Sequence, residues 1–219
     1  MRLLHCSDRH GSFPELKGNF DCIVDSGDIL PDAPNGEKEK AKWQFQWLEE
    51  HIEDYKQWLD EKPFLFTQGN HDHANSWEME GLLNSNGIEA YCLHDKIVNH
   101  KSVNFYGFPY VNTINGNYAY ETDSLQMIHK VDQMVRDINL RAYVDVIVAH
   151  APPAGILDYS FRNKEAYGIK AMTDAFSYKI DKNRRPRLYC CGHVHQQGIT
   201  MEYDMIFSNA AQSFHILEI

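Results

Sequence analysis

The chain has 219 residues, 43% hydrophobic and 24% charged, which is enough to build a substantial apolar core. Its net charge of -10 excludes a general nucleic-acid binder, whose affinity depends on clustered Lys and Arg, although bound divalent cations can reverse the charge that a phosphate meets locally. No apolar stretch approaches bilayer-spanning length, and Met1-Arg2-Leu3-Leu4 runs into His5 and Cys6 without a signal-peptide core, so a soluble, cytoplasmic protein of one domain, 1–219, is expected.

Leu3-Leu4-His5-Cys6 has the length and content of a buried strand, followed by the polar loop Ser7 to Ser12 and a second strand from Asp21 to about Asp25. Pro31 to Gly36 breaks the chain. From Glu37 to Glu61, Trp43, Trp47, Leu48, Ile52, Tyr55, Trp58 and Leu59 recur at helical spacing, which predicts one long amphipathic helix with its tryptophans in the core, stopped by Lys62-Pro63. Phe64-Leu65-Phe66 reads as a strand, and Trp77 to Asn84 as a helix ended by Asn86-Gly87. Short strands at Glu89 to Leu93, Ile97 to Asn99 and Val103 to Gly107 suggest an antiparallel middle. Leu125, Ile128, Val131, Val135 and Ile138 mark one face of a second long helix, which leads into the strand Val146-Ile147-Val148. Leu188-Tyr189-Cys190 is another buried strand, and Ile199 to Tyr203, Met205 to Phe207 and Phe214 to Leu217 close the fold. The five cysteines, Cys6, Cys22, Cys92, Cys190 and Cys191, are odd in number and lie mostly in apolar runs, which argues against a disulfide framework. Cys190 and Cys191 would point to opposite faces of their strand, and no second pair with zinc-ligand spacing exists.

Chemistry-bearing residues follow five of these strands, where ligands of open α/β sheets gather. Asp8-x-His10 offers a carboxylate and an imidazole that point the same way if the backbone stays extended. Gly27-Asp28 alone is ordinary turn chemistry. Gly69-Asn70-His71-Asp72 supplies an amide oxygen, a titratable ring nitrogen and a carboxylate that could hold an imidazole in one orientation. His150 stands at a strand end before Pro152-Pro153, and Gly192-His193-Val194-His195 places two imidazoles on one side of an extended segment.

In this order the motifs resemble the calcineurin-like metallophosphoesterases, from Asp8 to His195. The segments His150 to Asp158, Gly107 to Pro109 and Arg187 to His195 are similar to the small branch that includes brain-type metallophosphodiesterases. The resemblance implies a four-layer α-β-β-α sandwich of two mixed sheets flanked by helices. It implies one divalent ion held by Asp8, His10, Asp28 and His195 and a second by Asp28, Asn70, His150 and His193, with Asp28 bridging. Two such ions about 3.5 to 4 Å apart, as Mn, Fe or Zn, clamp a phosphoryl group and acidify a bridging water that attacks phosphorus. His71, oriented by Asp72, would stabilise the charged oxygens or protonate the departing alkoxide. The expected substrate is a small phosphate ester or nucleotide, more a diester than a monoester. The alternative is a scaffold or regulatory binding protein on the same fold.

Other residues keep two readings. Arg9 is either a phosphate contact or a solvated loop arginine, and Asp25 caps or solvates a turn. His73 could reach the cleft, and His51 and His129 are expected to be surface residues. The loop Tyr110 to Tyr120 either lines a pocket for a base or aryl group or packs its tyrosines on the sheet. The arginines around the site and the Glu at the Asp72 position that mark the protein phosphatase branch are missing here. A long DNA-binding cap is missing too.

Overall fold

The structure, a computed structural model, describes residues 1–219. In chain order its elements begin with β1 (Arg2–Ser7), β2 (Cys22–Asp25), α1 (Lys40–Glu50), α2 (Ile52–Leu59), β3 (Phe64–Phe66), α3 (Ser76–Ser85) and β4 (Ala90–Cys92). They continue with β5 (Ile97–His100), β6 (Val103–Phe108), β7 (Val111–Asn112), β8 (Glu121–Thr122), α4 (Ser124–Leu140) and β9 (Val146–Ala149). The chain closes with β10 (Tyr159–Ser160), β11 (Glu165–Ala166), α5 (Lys170–Asp174), β12 (Leu188–Cys191), β13 (Gly198–Glu202), β14 (Met205–Asn209) and β15 (Ser213–Glu218).

Two mixed sheets result, ordered β15-β1-β2-β3-β4 and β13-β14-β12-β9-β6-β5. The first is parallel except for β15 at one edge, and the second has a parallel centre closed by an antiparallel strand at each edge. Side-chain alternation along β1 explains the layering. Leu3 turns inward to a core shared with Val24, Leu65, Phe105, Val146 and Cys190, whereas Leu4 and Cys6 turn outward onto Leu48, Tyr55, Leu59 and Leu83 of the helices. The other sheet packs Tyr106, Ile147, Tyr189 and Phe207 against Val131, Met134 and Ile138 of α4. The order of layers is therefore helix, sheet, sheet, helix, as expected. All five cysteines are free and buried, and Cys190 and Cys191 do face opposite sides of β12. No helix is long and apolar enough to cross a membrane.

Several sequence expectations need correction. The long helix breaks at His51, whose Nδ1 donates to the Trp47 carbonyl at 2.7 Å while the ring stacks on Trp47 at 4.0 Å. That side chain competes for a helical acceptor, and the chain restarts as α2. On α4 the buried stripe is Met127, Val131, Met134, Val135 and Ile138, while Leu125 and Ile128 are exposed. Two residues is more than half a helical turn, so Leu125 cannot share a face with Met127. The middle of the chain is not antiparallel throughout: only β5 and β6 pair that way, while β4 runs parallel to β3 and β6 parallel to β9. The three closing strands divide, since β15 crosses to the sheet edge beside β1.

Candidate metal centre

The parallel strands of both sheets end on one side, and their following loops carry every expected donor. Asp8 and His10 follow β1, Asp28 follows β2, Asn70 and His71 follow β3, His150 follows β9, and His193 and His195 follow β12. Asp8, Asp28 and His150 are buried, and their ligand atoms lie within 4.8 Å of one another. The Asp28 Oδ2 atom is 3.3 Å from His150 Nε2 and 3.9 Å from His10 Nε2, while His195 Nε2 is 3.7 Å from Asp8 Oδ1. The His150 and His193 rings stand 5.0 Å apart.

The local backbone differs from the extended segments expected from the sequence. Asp8, His10, Asp28 and His193 all have positive φ, between 46° and 62°, a region that costs a non-glycine residue about 1 kcal/mol or more. Tight bonds from Val194 N to Gly192 O and from Gln196 N to Val194 O curl the segment that carries His193 and His195. The imidazoles and carboxylates thus converge through strained turns rather than by strand alternation. Two glycines make room for this. A Cβ on Gly69 would fall on the Asp28 carboxylate and the His150 ring, and one on Gly192 would fall on Ser7 and Asp8.

Backbone amides fix the two carboxylates. His71 N donates to Asp28 Oδ1 at 2.8 Å, and His193 N donates to Asp8 Oδ2 at 2.9 Å. His150 Nδ1 donates to the Ser26 carbonyl at 2.9 Å, which turns Nε2 toward Asn70 Oδ1 at 3.0 Å and the Asp28 carboxylate. Burial opposes a charge on His150, but Asp28 overrides it and raises the ring to about 9. Burial likewise opposes ionisation of Asp28, and His150 reverses that, holding the carboxyl well below its usual range. Burial and the neighbouring His150 lower His193 to about 4. Contact with Asp8 raises His195.

This donor set fits divalent cations. Three lone-pair atoms, from His150, Asn70 and Asp28, face one another, an arrangement that requires either a proton or a cation between them. His10 Nδ1 is buried without a hydrogen-bond partner. Imidazole, carboxylate and amide oxygen together suit Mn, Fe or Zn.

Asp72 requires the principal correction to the expected site. Its carboxylate does not orient His71 but accepts from the backbone N–H groups of Leu30 and Gly69 at 2.9 Å and of Ile29 at 3.1 Å, tying the two ligand loops together. Burial and the nearby Asp28 charge push its carboxyl up to about 7. His71 Nδ1 instead meets Asp32 Oδ1 at 2.5 Å, a partner missed in the sequence because it lies in the Pro31 to Gly36 break. His10, Asp32 and His71 form a second cluster of possible metal ligands at the rim.

Arg9 is neither a phosphate contact nor solvated. It is buried, donates from Nε to Asp25 Oδ2 at 2.7 Å and lies over the Trp58 ring at 4.3 Å, so Asp25 serves that pair as well as accepting from Gly27 N. Gln44, unremarked in the sequence, clamps the His71 loop: Nε2 donates to Pro31 O and His71 O, and Oε1 accepts from His73 N and Ala74 N. His5 was also missed. It is buried between the sheets and joins Ser26 Oγ at 3.0 Å and Ser208 Oγ at 2.8 Å, with burial lowering it to about 3. A polar residue at every second position of β1 below Asp8, namely His5 and Ser7, was the available signal.

The donors floor a cavity of about 310 Å³, with His71, Tyr118 and Ile114 on its wall. The Tyr110 to Tyr120 loop divides between the core and the cavity wall. Tyr110 packs in the core, whereas Tyr118 lies 4.9 Å from the His71 ring and Ala119 N donates to Asn70 O. His73 faces a neighbouring groove, and His129 is exposed on α4.

A UPF0046 protein of Caenorhabditis elegans is 28% identical over 126 residues, a match covering 57% of this chain and 42% of that protein. The chain therefore spans less than half the length of that curated relative. Among solved structures, TT1561 of Thermus thermophilus superimposes with a TM-score of 0.59 at 11% identity, covering 96% of this chain and 88% of the other. The phosphopantetheinyl hydrolase PptH of Mycobacterium tuberculosis gives a TM-score of 0.56 at 10% identity, with 96% and 89% covered. These structures share the fold. The family model described as calcineurin-like phosphoesterase matches residues 1–197, and the chain belongs to that family.

Proposed function

We propose that the chain, acting as one catalytic domain, is a dinuclear metal-dependent hydrolase of phosphate esters that prefers diesters to monoesters. The observation that carries this reading is the position of Asp28, whose carboxylate stands between His10 at 3.9 Å and His150 at 3.3 Å with further donors on both sides. Asp8, His10, Asp28 and His195 would hold one ion, and Asp28, Asn70, His150 and His193 the other. When bound, two divalent ions supply an acidified water as nucleophile and neutralise the phosphoryl oxygens.

The chain's own groups supply the rest. The N–H groups of His71 and His193 hold Asp28 and Asp8 in place, so neither carboxylate must reorganise when a phosphate arrives. His71 lines the cavity with Nδ1 paired to Asp32, which leaves Nε2 as the ring nitrogen free to donate to a phosphoryl oxygen or to the leaving alkoxide. Asp72 acts one step removed, by holding the loops of Asp28 and His71 together. Diester preference is supported by the cavity lining, which contains neither Arg nor Lys to meet the second charge of a monoester. Five free thiols support a reducing, cytoplasmic setting.

The test is metal analysis joined to a Mn-supplemented comparison of aryl monoesters, aryl diesters, cyclic nucleotides and dinucleotides. The expected result is about two transition-metal ions per chain, faster turnover of the aryl diester, and loss of turnover on chelation. A chain that retains ions and hydrolyses none of these esters would refute the reading in favour of a scaffold.

A further inference from the structure

Beside the metal cavity lies a second cavity of about 390 Å³ that shares Ile114, His193 and His195 with it. Its far wall is the β10–β11 hairpin, which contributes Phe161, Arg162 and Tyr167. Phe161 is 71% exposed at the hairpin tip, with its ring edge to face with Tyr159 at 5.3 Å. Ile114, 49% exposed, stands on the boundary between the two cavities. Leaving these apolar groups in water has a cost that a ligand could relieve, and here they flank a polar reaction cavity. Arg162 is the one permanent cation in the lining and makes no ion pair within the chain, which favours an anionic ligand despite the net charge of -10.

The hairpin base is fixed relative to the donor loop. Gln196 Oε1 accepts from Tyr159 N at 2.8 Å, one residue beyond His195, and Tyr167 N donates to Asp158 O at 2.9 Å. Asn209 Nδ2 donates to both Leu157 O and Val194 O, joining the two segments a second time. The base from which the aromatic tip projects is therefore tied to the segment that carries His193 and His195.

We infer that this side cavity is the subsite for a planar aromatic substituent of the phosphate ester, a nucleobase or aryl ring, with Phe161 as its stacking face. The inference rests on the phosphoesterase reading and names its substrate class. Adenosine 5′-monophosphate and ribose 5-phosphate share sugar and phosphate and differ in the base, so their affinities for the Mn-loaded chain isolate the subsite. Calorimetric titration should show the nucleotide binding roughly tenfold tighter, as expected for one stacked base. In Phe161→Ala that ratio should fall to within about twofold, and in Phe161→Trp it should be kept. A ratio near one in the unsubstituted chain, or a ratio that survives Phe161→Ala, overturns the subsite. Turnover of bis(p-nitrophenyl) phosphate, measured alongside, separates the two levels. Turnover without base preference overturns the subsite alone, whereas neither turnover nor binding overturns the phosphoesterase reading and the subsite with it.

Discussion

The two sides of the candidate centre are built differently. Asp8, Asp28, Asn70 and His150 are buried at the strand ends, with donors and acceptors from neighbouring loops already in place. Opposite them His10, His71 and His195 are partly open to solvent, at 30%, 25% and 50% side-chain exposure, and the Asp32 partner of His71 is more exposed still. The buried side has the character of a fixed cradle, where each polar group is oriented before a ligand arrives. The open side lines a cavity that solvent reaches. Burial thus separates donors fixed by neighbouring loops from donors that solvent can reach.

The comparison is broken most directly at its shared residue. Asp28→Asn should strip the ions, measured by metal analysis, and lower ester turnover on the order of a thousandfold or more. Retention of both ions would deny Asp28 its bridging place. On the open side, His71→Ala should lower turnover by roughly 10² to 10⁴-fold with metal content nearly unchanged. Loss of both ions in that variant would make His71 part of the cradle instead. Asp32→Asn should cost about 10 to 100-fold in turnover, because it loosens the ring without removing it. If Asp72→Asn lowered turnover with metal content unchanged and Asp32→Asn left turnover alone, the observed pairing of His71 with Asp32 would not be the functional one. The smallest effect separates the two sides by stability alone. In metal-free chain, His150→Ala leaves Asn70 and the Ser26 carbonyl without a partner, costing about 2 kcal/mol and a melting shift of several degrees. His195→Ala, half in solvent, should shift melting little; equal shifts would erase the contrast.

Much of this was legible from local pattern. Short runs of β-branched and aromatic residues such as Cys22-Ile23-Val24 and Val146-Ile147-Val148 announce strands because both of their faces are buried. What failed did so through tertiary contact or through the phase of a helix. The break at His51 comes from a side chain capturing the Trp47 carbonyl. Leu125 looked like core because apolar spacing was read without the helix start, which Asp123 sets by accepting from Leu125 N and Gln126 N. Arg9, between two donors, was open to two readings, a phosphate contact or a solvated loop residue, yet Asp25 and Trp58 draw it inward.

The sequence by itself determined the order of the donors and their attachment to strand ends, since covalent adjacency to an apolar run survives any packing. Periodicity also determined that helices and strands mix along the chain, while the two-sheet class was implied only by the family resemblance that those donors carry. Only the tertiary structure decided which carboxylate meets which imidazole. Asp72 is adjacent to His71 in the chain but is drawn to three backbone amides of the buried loops, and Asp32, 39 residues away in sequence, takes the ring. Buried N–H groups must find acceptors, and that demand claims the nearer carboxylate.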